Sequence, residues 1–436
     1  MSIWSQAKDM AAKTPEERNR YVDFLRAVSI LVVITGHWLI VGLHYQDGLL
    51  SDAKLLVLQP GTQWLTWLFQ VMPIFFIVGG YANAVSLESA RRRGIDYAGW
   101  LAARLYRLVT PLLALLIAWA ILAFMLFFWD VSGGAIQKVS RTALIPIWFL
   151  AIYIIVVVLA PATYKVWKRW GFLSFWAFVF VGALVDAAYF LADIRWLSWT
   201  NYFWIWLSVH HLGYAWRDGR LGGPVKLLAY SALGLLVLML LIFKGPYPLA
   251  MVGSPDEGLS NTLPPKITLL ALAVFQFGLL LAIEKPMRRM LTGLRVWAAT
   301  VLINSMIMTV YLWHLTVMVI VISLAVLAGG AGLGLEPASS TWWLTRPIWI
   351  AVLYAVLIPV ALLFSPFERR VRAPDAVVPA AARQVGGAVL ICLGVATLAR
   401  FGFGNAPRPY LDIASFLMVV AGSGLSGLLP GLKLSR

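Results

Sequence analysis

Cysteine is almost missing: Cys392 is the single one in 436 residues. No intramolecular disulfide can form, and a thiolate-based metal site is excluded. Charge is scarce as well. Asp, Glu, Lys and Arg make up 12% of the chain, about half of the quarter usual in soluble domains. With 61% hydrophobic residues and a mean hydropathy of +0.83, the composition excludes a soluble globular protein and implies a polytopic membrane protein. No stretch between the apolar runs is long enough to fold as a soluble domain. The polar N-terminus, MSIWSQAKDMAAKTPEERNR, lacks the short apolar core and small-residue cleavage site of a signal peptide, so none is expected. Acidic residues are few, 19 against 35 basic, leaving a net charge of +16. In so apolar a chain that excess concerns which loops face the cytoplasm, and no nucleic-acid partner is expected.

What is present is a series of apolar segments, each near the roughly 20 residues that a membrane helix needs. They fall near 25–44, 63–84, 108–129, 143–163, 172–190, 199–216, 225–243, 265–284, 298–328, 345–366, 385–403 and 411–431. The pattern predicts an all-α transmembrane bundle. A cytoplasmic segment over 1–20 precedes a ten-helix membrane domain over 21–372, and a C-terminal extension over 373–436 adds one or two helices. Placing the N-terminus inside and alternating puts 26 of the 35 Lys and Arg residues on the cytoplasmic side. That bias follows the positive-inside rule and predicts both termini in the cytoplasm of a cell (inner or plasma) membrane protein. The loop KGPYPLAMVGSPDEGLSNTLPP (244–265) is long enough to cover an opening, or is a plain surface connection.

Polar groups inside the apolar runs are the candidates for chemistry, because ionisable residues in a membrane are costly. The first run, YVDFLRAVSILVVITGHW, opens with Asp23 and Arg26 and ends with His37. Asp23 and Arg26 are three apart and meet on one helix face. Arg26 and His37 are eleven apart, about three turns or roughly 16 Å along the axis, and share that face. Read singly, Arg26 is an interfacial anchor and His37 a packing histidine; together they make a polar line through an apolar helix.

Further along, Gly79 and Gly80 interrupt the second run, which suits close approach of another helix or a ligand. Arg104 and Arg107 are one turn apart in RLYR and point the same way. His210 and His211 are adjacent, about 100° apart around a helix. With no second cluster at ligand spacing, no metal site is expected. The segment NSMIMTVYLWHLTVMV carries Ser305, Thr309, Tyr311 and His314 along one apolar helix. Glu284 and Glu368 close apolar helices at the cytoplasmic side and suit structural roles.

These stretches together resemble the acyltransferase-3 family of integral membrane acyltransferases. Asp23, Arg26 and His37 match the family's opening Asp-x-x-Arg and the histidine at the far end of the same helix. Arg104 and Arg107 match its Arg-x-x-Arg. Tyr311, Leu312 and His314 match its Tyr-Leu-x-His element, with Met306 in place of an earlier tyrosine. The Phe-Phe of the second run is followed by Gly79 where the family has serine. The resemblance covers about residues 18–372, with no fused extracytoplasmic catalytic domain.

The resemblance implies an O-acyltransferase that moves an acyl group, acetyl by expectation, from acyl-CoA to a hydroxyl of a glycan, lipid or small-molecule acceptor. No bound cofactor is expected; acyl-CoA is the co-substrate. His37 is the expected base, since an imidazole near pKa 6.5 exchanges protons near neutral pH; alternatively it carries the acyl group. Arg26, oriented by Asp23, would position the donor or His37. Arg104 and Arg107 would hold the donor's phosphates, which the planar guanidinium suits. Tyr311 and His314 are expected to contact substrate. The competing expectation is a transporter or flippase, which would often show an internal repeat; no second copy of the first run stands in the chain. A membrane sensor or scaffold would not need the buried ionisable groups.

Overall fold

The computed structural model describes residues 3–15, 17–253, 258–373, 376–404 and 413–429. The fold is an all-α polytopic bundle. Among the described residues nine helices are long and apolar enough to cross a membrane, and a tenth results if Ile267–Ala282 and Glu284–Met290, bent by 55°, form one span. The chain divides into two compact units.

The first unit holds the residues through Val33, Gln59–Ser89 and Leu159–Asn304. Its helices cross closely where side chains are absent. A Cβ on Gly80 would lie 2.1 Å from the His210 carbonyl oxygen, and one on Gly213 would lie 2.0 Å from that of Ile77. Gly80 therefore serves the contact between the helices Met72–Arg92 and Asn201–Arg217. The N-terminal segment is a helix, Ile3–Ala12, whose Ala11 packs on Trp297 and Ala298. Glu284 accepts from Trp216 Nε1 at 3.0 Å and from Arg288 Nε at 2.9 Å.

The loop after Phe243 is folded into this unit rather than lying over it. Met251, Asn261, Thr262 and Lys266 are buried. Thr66, Trp67 and Gln70 bond to its backbone at 2.8–2.9 Å. Side chains thereby satisfy irregular backbone that would be costly in an apolar setting. Residues 254–257 of the loop lie outside the described part. At its end Lys266 Nζ stands 3.7 Å from Asp186, both side chains being buried, and 3.7 Å from the centre of the Tyr189 ring. Asp186 also accepts from Asn201, Tyr247 and the Ile267 amide at 2.8–3.0 Å. Asp186 is thus both paired and hydrogen-bonded, whereas Lys266 Nζ has the ion pair and the ring face but no hydrogen bond, which makes its burial the costlier of the two.

The second unit holds Ile34–Leu58, Ala90–Val158 and the described residues from Ser305 onward. It contains the helices Tyr97–Phe128, Gly133–Leu144, Ile307–Leu327, Ser340–Arg369 and Ala381–Phe401. A two-stranded antiparallel hairpin, Val41–Gln46 with Leu49–Lys54, turns at Asp47 and Gly48, both at positive φ. That is the two-residue Asp-Gly turn whose twist matches the strands. Tyr45 N bonds to the Leu333 carbonyl at 2.9 Å, which docks the hairpin on the loop near residue 333.

The single run expected over 298–328 is two helices, Leu294–Asn304 and Ile307–Leu327. Met306 leaves helical geometry with φ −137°. The Asn304 amide, which donates to the Thr300 carbonyl at 2.9 Å, ends the first helix. The final apolar run contains the helix Ala414–Leu425, 12 residues long. At about 1.5 Å per residue that is some 18 Å, short of a roughly 30 Å hydrocarbon core. Its neighbours 405–412 and 430–436 lie outside the described residues.

Candidate active site

In the second unit two histidines meet. His37 comes from the last turn of the helix Arg20–Ile40, and His314 from the helix Ile307–Leu327. His37 Nδ1 and His314 Nε2 are 2.9 Å apart, and the rings are nearly parallel at 14°. The other nitrogen of His314, Nδ1, lies 2.5 Å from the Tyr311 carbonyl oxygen, one turn back. These partners fix the protons. A carbonyl can only accept, so His314 Nδ1 carries the hydrogen. In the neutral ring His314 Nε2 is then the acceptor, and His37 Nδ1 must donate to it. His37 Nε2 is left with a bare lone pair. This assignment follows from the hydrogen-bond partners, as tautomer assignments do.

The surroundings hold both rings in place. Trp38 Nε1 donates to the His314 carbonyl at 3.1 Å. Trp38 packs edge-on against Tyr354 at 4.8 Å, and the Tyr354 hydroxyl meets Thr35 Oγ1 at 2.9 Å. The Tyr311 hydroxyl donates to the Pro146 carbonyl at 2.6 Å, and Trp119 Nε1 donates to Thr316 at 2.9 Å. His314 is fully buried, whereas His37 is partly exposed. An imidazole with one nitrogen held by a hydrogen bond and a lone pair on the other is an arrangement that suits a general base.

Asp23 and Arg26 belong to the first unit. They form the expected pair at 3.8 Å. Arg18, which the spacing did not single out, is closer to Asp23, its Nε donating at 2.6 Å. Asn304 Nδ2 donates to the Asp23 carbonyl at 2.8 Å. Arg104 and Arg107 sit on the helix Tyr97–Phe128, with Arg107 exposed and Arg104 half-buried. The Arg104 guanidinium is 5.7 Å from the centre of the Trp100 ring.

A family model described as an acyltransferase domain matches residues 19–366. The chain belongs to the acyltransferase-3 family. It is a multi-pass membrane acyltransferase. No curated protein and no solved structure matches it.

Within this acyltransferase the structure brings His37, His314 and Tyr311 together and pairs Asp23 with Arg26. His210 and His211 lie in the first unit, fully buried. Asn83 meets His210 Nε2 at 3.2 Å, and His211 Nδ1 is 2.9 Å from the Leu207 carbonyl. Among the described residues no group of three or more His, Cys, Asp or Glu is placed to hold a metal. Sequence reasoning passed over Arg18, Trp38, Thr35 and Tyr354. Trp38 adjoins His37 in sequence and could have been found there. Tyr354 is 319 residues from Thr35 and carries no local signal.

Proposed function

We propose that this acyltransferase moves an acyl group, acetyl being the simplest, from acyl-CoA to a hydroxyl of a glycan, lipid or small-molecule acceptor at the cell envelope. The observation that supports this reading is the bare His37 Nε2, held by the Nδ1 bond to His314. In the proposed step His37 Nε2 takes the proton of the acceptor hydroxyl as its oxygen attacks the thioester carbonyl. The carbon–sulfur bond then breaks, the thiolate of CoA leaves, and the proton on His37 passes to it. An ester and free CoA result, and the base is regenerated.

Arg26, braced by Asp23, is assigned to the donor side. Arg104 and Arg107 are assigned to the donor's phosphates, where the guanidinium fork gives two-point contact. His314 acts through His37 rather than on substrate, since both its ring nitrogens are engaged. The Lys and Arg bias supports both termini in the cytoplasm, an orientation in which the Arg104–Arg107 turn would face a cytoplasmic acyl-CoA donor.

The test is release of free CoA from acetyl-CoA by purified protein in detergent. His37→Gln keeps polarity and approximate size but cannot shuttle a proton. It should insert normally, still bind acetyl-CoA, and lose about 10²–10⁴-fold in turnover, the range general acid–base catalysis contributes. Turnover at the wild-type rate by a well-folded His37→Gln protein would sink the mechanism.

A further inference from the structure

The helix that carries His314 begins abruptly. It follows a break at Ser305 and Met306. Helix N-termini leave their first amide donors orphaned, and in an apolar setting the cost is high. One side chain, Glu368 from the end of the helix Ser340–Arg369, meets them. Its Oε1 accepts from the Met308 amide at 3.1 Å. Its Oε2 accepts from the Thr309 amide at 2.8 Å and from the Thr309 hydroxyl at 2.7 Å. A carboxylate there also opposes the positive end of the helix dipole.

Tyr311 and His314 lie two and five positions beyond Thr309, within the next turn and a half. Their alignment sets both hydrogen bonds of the histidine pair, because the Tyr311 carbonyl holds His314 Nδ1. We propose that Glu368 is a positioning residue for the His37–His314 pair, acting through the first turn of the His314 helix. This rests on the reading of His37 as the base. Glu368 touches neither reacting atoms nor substrate in this assignment. It fixes where the helix starts, and thereby where the His314 ring stands against His37. Replacing the carboxylate by an amide removes one acceptor oxygen. An amide N–H₂ then faces the Met308 N–H, donor against donor.

The experiment uses the full-length protein in detergent with acetyl-CoA, comparing Glu368→Gln, His314→Gln and the double variant, with rates expressed per folded protein after size exclusion. Glu368→Gln should lower kcat about tenfold, a loss that corresponds to one 1.4 kcal/mol step, without raising the KM for acetyl-CoA. The double variant should be no slower than His314→Gln alone, because residues acting as one unit are not additive. Multiplied losses in the double variant, or an unchanged kcat in Glu368→Gln, would overturn the proposal. A second readout does not need turnover. In ¹⁵N-histidine NMR spectra, Glu368→Gln should move the ring signals of His37 and His314 and leave those of His210 and His211 in place. Unmoved His37 and His314 signals would overturn the proposal even if the assignment of His37 as base had failed.

Discussion

His37 and His314 share one hydrogen bond, 2.9 Å long, between helices that are 277 residues apart in sequence. Its direction is set by the second bond of His314, to the Tyr311 carbonyl. A base oriented by a neutral imidazole lacks the fixed negative charge of a carboxylate partner, so the gain from orientation is the larger part of what His314 supplies. His314→Ala should therefore lower kcat by about 10- to 100-fold, less than a carboxylate partner supplies in hydrolase triads. It should leave the KM for acetyl-CoA nearly unchanged, because no donor contact is removed. Steady-state CoA release checks this, and an unaltered kcat would leave His314 with a packing role only.

Gly80 and Gly213 bring two helix backbones into contact, and a methyl group at either has nowhere to go. Because the obstructing atoms are carbonyl oxygens of the facing helix, side-chain rearrangement cannot relieve the overlap. Gly80→Ala and Gly213→Ala should each destabilise the protein by about 1–3 kcal/mol, the usual cost of overpacking. Gly61→Ala, where a Cβ meets nothing within 4 Å, is the control and should be neutral. Thermal unfolding in detergent separates them.

Much of this fold was legible because membrane spans announce themselves by length and apolarity. The site was legible in part. His37 and His314 stood out singly, as ionisable groups in apolar runs, but nothing in the sequence said that they touch. Contact between distant helices depends on their packing, and helix periodicity reports faces, not partners. Asp23 drew Arg26 by its three-residue spacing, while Arg18, five residues back and ahead of the helix Arg20–Ile40, left no periodic trace. The Asp47–Gly48 hairpin was not expected: the apolar run was read as continuing to residue 44, whereas the helix ends at Ile40 and a strand starts at Val41. The break at Ser305 was hidden because the runs on both sides of Asn304 and Ser305 are apolar and no Gly or Pro marks it.

His44 gives a pH-dependent contact outside the membrane helices. Its Nδ1 is 3.1 Å from the Leu335 carbonyl and its Nε2 is 3.1 Å from Gln46 Oε1. The bond to the Leu335 carbonyl, with that to Gln46 and the charge of Glu336, raises its pKa above the ordinary 6.5. A histidine whose pKa is raised in the folded state stabilises that state fully below its unfolded pKa, near 6.5. That contribution fades as the pH climbs through the higher folded value. The hairpin should accordingly hold to residues 333–336 more firmly at pH 6 than at pH 8.5. Hydrogen exchange at the Tyr45 amide, bonded to the Leu333 carbonyl, should be better protected at the lower pH after correction for intrinsic rates. His44→Gln should remove that difference; if the difference persists, another group carries it.

Arg104 and Arg107 decide whether the turn before the apolar part of their helix binds the donor or only sets topology. Both residues obey the positive-inside rule, so their presence alone does not distinguish the two roles. The comparison is between double variants, since replacing either arginine alone leaves one guanidinium for a phosphate. Arg104→Ala with Arg107→Ala should raise the KM for acetyl-CoA about tenfold or more, since loss of charge-assisted hydrogen bonds costs roughly 1.5–3 kcal/mol each. Membrane insertion should survive, because Arg91, Arg92 and Arg93 remain on the same side in the proposed topology. Replacing both by Lys restores the charge and not the planar fork, so the KM should recover only in part. A topological role predicts the opposite pattern: Lys would restore everything, and the double Ala variant would fail in insertion with its donor affinity intact. Measuring acetyl-CoA affinity and insertion on the same preparations tells these apart, and an unchanged KM in a correctly inserted double Ala variant removes the phosphate contact from the mechanism.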